Sequence, residues 1–401
     1  MIYSAIYSYA DSMLLKIIFL FPETGTSTIQ EQINTNKEIR HNLKLDNILV
    51  IPHEMIHRQD FANRTNDGSF SFSPDFVELM RLIKASGRYM HILGSSEYIP
   101  GPKGNDAGCE SWKEVLYDNK NGMHWNLHIV ITYRRHYDFL PSHWNQRYRK
   151  NPDKWPEEGG NVIPSFDEYL IDHLVRAKKK GSDVLGGAFR VYNNWKLCSD
   201  SISLVHYHDS KVGLPNGTTI PETDLLTSFV CNGVVGATHT CSFLLDKLTQ
   251  GGLPTKRKNP SADLGYEMLA VHAHESGLIP NVWERLDVVQ KIKQFSENTN
   301  TSNILQMRCP NATILQQLYD YSLEGEKWAL TVIGNHTKRL DTLNDKQLQK
   351  FDLDWKRWKD SQKSCTIDVD LAVETDEWKD FFRKAFNRES ATPKMSNNTK
   401  G

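Results

Sequence analysis

Apolar residues in this chain form two kinds of run, and the difference between them sets the expected architecture. Met13-Leu-Leu-Lys-Ile-Ile-Phe-Leu20 and Leu127-His-Ile-Val-Ile-Thr-Tyr133 are nearly continuous, as strands buried on both faces are. Shorter apolar runs at 46–52, closed by Pro52, at 89–94 and at 202–207 predict further strands. Between these runs the spacing becomes helical. Ile29, Ile33, Ile39 and Leu43 mark one apolar stripe, and Phe76, Leu79, Met80 and Ile83 mark another over 75–86. Residues 138–149 also read as helix, with Pro141 acceptable only in the first turn. Ser165 and Glu168 make a capping box at the start of a further helix.

Strands alternating with helices from residue 13 to residue 207 predict an α/β fold of three layers, with a central, mostly parallel sheet covered on both faces. In such sheets the ligand lies at the carboxyl ends of the strands. The run Arg176-Ala-Lys-Lys-Lys-Gly181 reads as the solvated, basic end of a helix with glycine as its stop. Residues 296–303 are polar and repetitive, which predicts a linker. The expected organisation is therefore an α/β domain over 13–295, a mostly helical C-terminal extension over 296–390 packed on it, and a disordered tail over 391–401.

The 401 residues are 39% hydrophobic and 24% charged, a globular composition. A net charge of −1 gives no global attraction to nucleic acid or to an anionic membrane, so an anion site must be local. No run reaches the roughly 20 apolar residues of a membrane span, and the first 25 residues do not read as a secretory signal. An anchor in a longer natural form stays open. The six cysteines show neither Cys-x-x-Cys nor zinc spacing. Cys231 and Cys241 bracket a glycine-containing segment and can pair in an oxidising compartment. Asn63, Asn216, Asn300, Asn311, Asn335 and Asn397 stand in Asn-x-Ser/Thr sequons. These favour a Golgi or other secretory lumen over the cytoplasm.

The chemistry gathers at strand ends. Pro22-Glu-Thr-Gly-Thr-Ser-Thr28 joins the first strand to a helix, and its backbone N–H groups, hydroxyls and helix dipole suit phosphate or sulfate. The same composition also serves as plain helix capping. It is not a nucleoside triphosphatase loop, because no lysine follows Gly25. Glu97, Arg134 and Tyr207 stand at other strand ends, and Ser142 lies eight residues beyond Arg134, so an arginine fork and a hydroxyl can meet one phosphate. His206 and His208 would share a strand face, yet no acidic partner stands at ligand spacing, and no metal is expected.

With these residues the chain resembles the sulfotransferases that use 3′-phosphoadenosine 5′-phosphosulfate. The resemblance covers about residues 14–265. Pro22, Thr24, Gly25, Thr26, Ser27 and Thr28 match the P-loop-like strand–loop–helix that holds the 5′-phosphosulfate; Arg134 and Ser142 match the 3′-phosphate pair. It implies Glu97 as catalytic base, Tyr207 against the adenine, and Lys256 and Arg257 from the basic segment 254–261 closing over the 3′-phosphate. It also implies transfer of a sulfuryl group from that donor to a hydroxyl acceptor, a glycan before a protein or small molecule, without a metal. One position departs from the pattern: Glu23 stands where the family has lysine. A carboxylate there repels a phosphosulfate by roughly 1 to 4 kcal/mol at contact. Either another cation such as Arg58, Lys103 or Lys256 takes the lysine's part, or the protein binds nucleotide without turnover, or its chemistry differs.

Overall fold

The computed structural model describes residues 15–21, 26–51, 62–67, 69–86, 91–95, 106–118, 123–148, 154–160, 162–180, 186–208, 212–213, 219–220, 223–251, 264–280, 283–298, 306–336, 340–362 and 364–386. They are mixed α and β, mostly helical, around a parallel sheet. The chain divides into two compact units: Met1–His136 with Ala177–Asn259 and Tyr321–Gln349, and Tyr137–Arg176 with Pro260–Asp320 and Lys350–Gly401. This differs from a division at residue 295. The helix Arg285–Asn298 runs through that point, and within it Ser296 is buried with its hydroxyl 3.3 Å from Tyr266 Oη. The tail 391–401 lies outside the described residues.

The sheet belongs to the first unit. Its strands are β1 (Leu15–Phe21), β2 (Ile48–Val50), β3 (His91–Ser95), β4 (Tyr117–Asp118), β5 (Met123–Tyr133) and β6 (Ser201–His206). Five run parallel in the order β2-β3-β1-β5-β6, and β4 pairs antiparallel with the start of β5. The chain leaves β1 towards the β2 edge and leaves β5 towards β6. The carboxyl ends of β1 and β5, neighbours in register at Phe21 and Ile131, therefore flank the point where the winding reverses.

Alternation along each strand splits the core between the two faces. Leu93, Val130 and Val205 pack with Ile29, Ile33, Ile39 and Leu43 and with the helices Leu225–Gly233 and Thr238–Thr249. Asp46 caps the second of these, accepting from the N–H of His239 at 2.7 Å and of Thr240 at 2.9 Å. Gly236 turns between the two helices at φ +84°, where a Cβ would sit 2.6 Å from His91 Nε2, so only glycine fits there. On the opposite face Ile92, Leu127, Ile129 and Ile131 meet Phe76, Met80 and Ile83 of the helix Pro74–Ser86, Trp112 and Trp195. The short ribbon Ala62–Arg64 with Phe70–Phe72 joins this face, and the Phe72 and Trp112 rings meet edge-on at 4.7 Å.

The second unit is mostly helical, with one short antiparallel pair, Met307–Arg308 with Thr366–Ile367, and a core from the helices Leu264–Glu275, Arg285–Asn298, Val369–Glu374 and Asp376–Phe386. Trp155 stacks on His274 within it, and the buried Arg285 is paired with Glu267 at 3.3 Å. The capping box forms: Ser165 N–H donates to Glu168 at 2.9 Å, and Glu168 N–H to Ser165 Oγ at 3.4 Å. The preceding helix of the chain differs from expectation. It runs His136–Tyr148, two residues earlier, which moves Pro141 past the first turn and removes one backbone bond.

All six cysteines are paired, as Cys109–Cys198, Cys231–Cys241 and Cys309–Cys365. The first closes a separation of 89 residues and ties together the ends of two elements on one sheet face. Replacing Cys109 and Cys198 together by alanine is expected to lower the unfolding free energy by about 2 to 5 kcal/mol in urea titrations. An unchanged midpoint would mean that these sulfurs are not bonded in solution.

Candidate functional site

The residues singled out in the sequence fall into three groups. Glu23, Thr24, Gly25, Glu97, Lys256 and Arg257 lie outside the described residues. Thr26, Ser27 and Thr28 form the first turn of the helix Thr26–Thr35, directly downstream of β1. Arg134, Tyr207 and Ser142 are described with their side chains. Ser142 is half-buried at the seventh position of the helix His136–Tyr148 and belongs to the second unit. Its neighbour His143 lies 2.5 Å from the Tyr169 hydroxyl through Nδ1; burial first, then the nearby Arg147 charge, hold this imidazole below its ordinary pKa.

Arg134 and Tyr207 meet at the carboxyl ends of β5 and β6. The strands are in register to Tyr133 and His206, and Tyr207 N–H donates to Tyr133 C=O at 2.8 Å, so the two following side chains emerge side by side. The Arg134 guanidinium carbon stands 5.1 Å from the centre of the Tyr207 ring, within cation–π range. Both residues are half-buried. This is an aromatic plate and a cation at the mouth of the sheet, one strand away from the end of β1.

Beneath this pair is an arrangement that sequence reasoning missed. Arg135 and Glu326 have side chains only 1% exposed and form a two-pronged pair: Arg135 Nη2 to Glu326 Oε1 at 2.9 Å, and Nε to Oε2 at 3.2 Å. His206 Nε2 lies 3.0 Å from the same Oε2. His208 N–H donates to His206 Nδ1 at 3.1 Å, which leaves Nε2 as the ring's donor towards Glu326. Burial works against ionising Glu326; the electrostatic attraction and hydrogen bonds from His206 and Arg135 outweigh it and hold the carboxyl at about 2. His206 is thus engaged with a carboxylate. Among the described residues no group of three or more His, Cys, Asp or Glu side chains gathers to hold a metal ion.

Glu326 reaches the strand ends because the helix Ala312–His336 comes unusually close. A Cβ on Gly325 would lie 2.7 Å from His136 Nε2 and 3.0 Å from Tyr133 Oη. Glycine inside a helix costs about 1 kcal/mol relative to alanine, and here it admits the neighbouring rings. Trp328, one turn on, packs against Tyr133, Phe189 and Tyr192. A signal for Glu326 did exist: the buried Tyr321, Ser322, Gly325, Ala329 and Leu330 recur at helical spacing, and Glu326 falls on their stripe.

No family model, curated protein or solved structure matches this chain. Its reading therefore rests on its own residues.

The depressed pKa of Glu326 fixes the sign of its pH dependence. Its contribution to stability is fully present above the ordinary carboxyl value of 4.5 and is lost as pH falls towards about 2. Glu326→Gln is expected to destabilise the protein at pH 7 by about 3 to 5 kcal/mol, because it strands a buried arginine. That deficit should shrink between pH 4.5 and 2 in denaturant titrations of parent and variant. A deficit independent of pH would mean that Glu326 is not ionised in the folded protein.

Proposed function

We propose that this protein is a sulfotransferase that moves a sulfuryl group from 3′-phosphoadenosine 5′-phosphosulfate to a hydroxyl of a carbohydrate acceptor. The observation that carries the reading is the Arg134–Tyr207 pair at the carboxyl ends of two central strands. A guanidinium offers a forked donor to a phosphate, and a tyrosine ring offers a face to a purine. The sheet order supports a P-loop-like arrangement, because β1 is central and leads through a Gly/Thr/Ser segment into a helix N-terminus beside the point where the winding reverses. Donor phosphates at both places would span an adenosine 3′,5′-bisphosphate. Thr24 to Thr28 are assigned to the 5′ end and Arg134 to the 3′-phosphate. Tyr207 is assigned to the base, and Lys256 and Arg257 to a closing segment.

The reaction is an in-line displacement. The acceptor oxygen attacks sulfur, the bond from sulfur to the bridging phosphate oxygen breaks, and its electron pair stays on the phosphate. The acceptor proton passes to the carboxylate of Glu97. Fixed donors around the departing phosphate and alignment of the hydroxyl supply most of the rate. The three disulfides support an oxidising compartment such as the secretory lumen, in line with the sequons.

Glu23 favours a second reading, a protein that binds the nucleotide without transferring sulfate, since a carboxylate opposes charge building up on the leaving group. One pair of measurements separates the two. Calorimetry with adenosine 3′,5′-bisphosphate is expected to show one site, weakened about tenfold or more by Arg134→Ala. No binding by the parent would end both readings. Transfer of labelled sulfate from the donor to a glycan panel is expected for the parent; binding without transfer leaves the second. In an active parent, Glu97→Gln should keep bisphosphate affinity and abolish transfer, and undiminished turnover would remove Glu97 as the base.

A further inference from the structure

Arg134 and Tyr207, the half-buried members of the site, are the immediate chain neighbours of Arg135 and His206, its buried members. Both buried members end on one carboxylate. Glu326 Oε1 takes Arg135 Nη2 at 2.9 Å, while Oε2 takes Arg135 Nε at 3.2 Å and His206 Nε2 at 3.0 Å. The backbone bond from Tyr207 to Tyr133 closes the ring of contacts at 2.8 Å. The two residues that would meet the nucleotide are thus fixed one bond away from groups that Glu326 holds together. Glu326 is 1% exposed, so it cannot itself touch a substrate.

We infer that Glu326 is a positioning residue for the donor site, setting the separation of the Arg134 guanidinium and the Tyr207 ring by clamping Arg135 to His206. It selects for the 3′-phosphate from a helix 191 residues downstream of the arginine it binds. The inference rests on the proposed donor site, and its consequence is specific. If the clamp relaxes, Arg134 loses its alignment on the 3′-phosphate, whereas the N-terminus of the Thr26–Thr35 helix, assigned to the 5′-phosphate, is not part of the clamp. The loss therefore appears in the ratio of two affinities rather than in both together. A side chain that merely stabilised the fold would lower both affinities by one factor and leave their ratio alone.

The test is calorimetric titration of the full chain with adenosine 3′,5′-bisphosphate and, separately, adenosine 5′-monophosphate. The parent is expected to prefer the bisphosphate by tenfold or more, on the scale of a charged fork. Glu326→Gln, which keeps the side chain's size, should bring that ratio down about tenfold, because any loss at the Tyr207 ring is common to both nucleotides and cancels in the ratio. A folded Glu326→Gln protein with the parent's ratio would overturn the positioning role and leave the donor site standing. A parent that binds neither nucleotide, or shows no preference, would take the donor site down and the inference with it. Should Glu326→Gln not fold, His206 supplies the second arm. His206→Asn removes the Nε2 donor and is expected to reduce the ratio about threefold, and His206→Gln, whose amide reaches the Nε2 position, should restore it. An unchanged ratio in His206→Asn, or no rescue by His206→Gln, would equally refute the clamp.

Discussion

A carboxylate taken out of water stays ionised only if its oxygens are met by strong donors, and Glu326 is met by three. Much of the first unit is arranged around that requirement. The helix that carries Glu326 cannot shift along its axis or rotate by one residue without leaving Arg135 buried and alone. Gly325 opens the space for the close approach, and Trp328 and Ala329 seat the same helix on the sheet face. The strand ends are pinned in turn, since Arg135 follows β5 directly and His206 ends β6. A charged interaction of this kind adds little net stability over a well-packed apolar one. Its effect is to make one geometry far better than its neighbours.

The doubled arginine after β5 shows how this geometry is used. In extended chain, successive side chains point to opposite sides, so Arg134 and Arg135 cannot both face the same environment. One goes inward to Glu326 and the other outward to the Tyr207 ring. The inner residue gives the outer one a fixed base. A single arginine on a mobile turn would lose rotamer entropy on meeting an anion that this arrangement has already spent part of.

Local pattern carried the strands and most helices, because each of those signals lies within one element. Val130 and Ile131 announce a two-faced strand, and Ser165 with Glu168 announces a helix start that the structure contains. What depends on distant partners was less legible. Of the disulfides only Cys231–Cys241, ten residues apart, could be suspected; Cys109 and Cys198 are brought together by the sheet. The arginine at the strand end could be picked out, since the carboxyl ends of parallel strands are where ligands bind. Its buried neighbour could not, since nothing nearby in the sequence says that a glutamate on a late helix completes it. Pro141 was misplaced for a similar reason: the helix begins at His136, whose ring is stacked on Tyr321 at 4.3 Å, and that tertiary contact overrides the local preference for proline near a helix start.

The order of the chain bears on how this site comes into being. On a ribosome Arg135 is made 191 residues before the glutamate that neutralises it. Once β6 has been made all five parallel strands exist, yet the carboxylate that Arg135 meets is still to come, and water must stay around the end of β5. The helix that carries Glu326 is therefore the one that dries the strand ends. A nascent chain lacking Glu326 would hold a sheet with wet, loose strand ends, so the fixed geometry of Arg135 and His206 arrives late in the chain's synthesis.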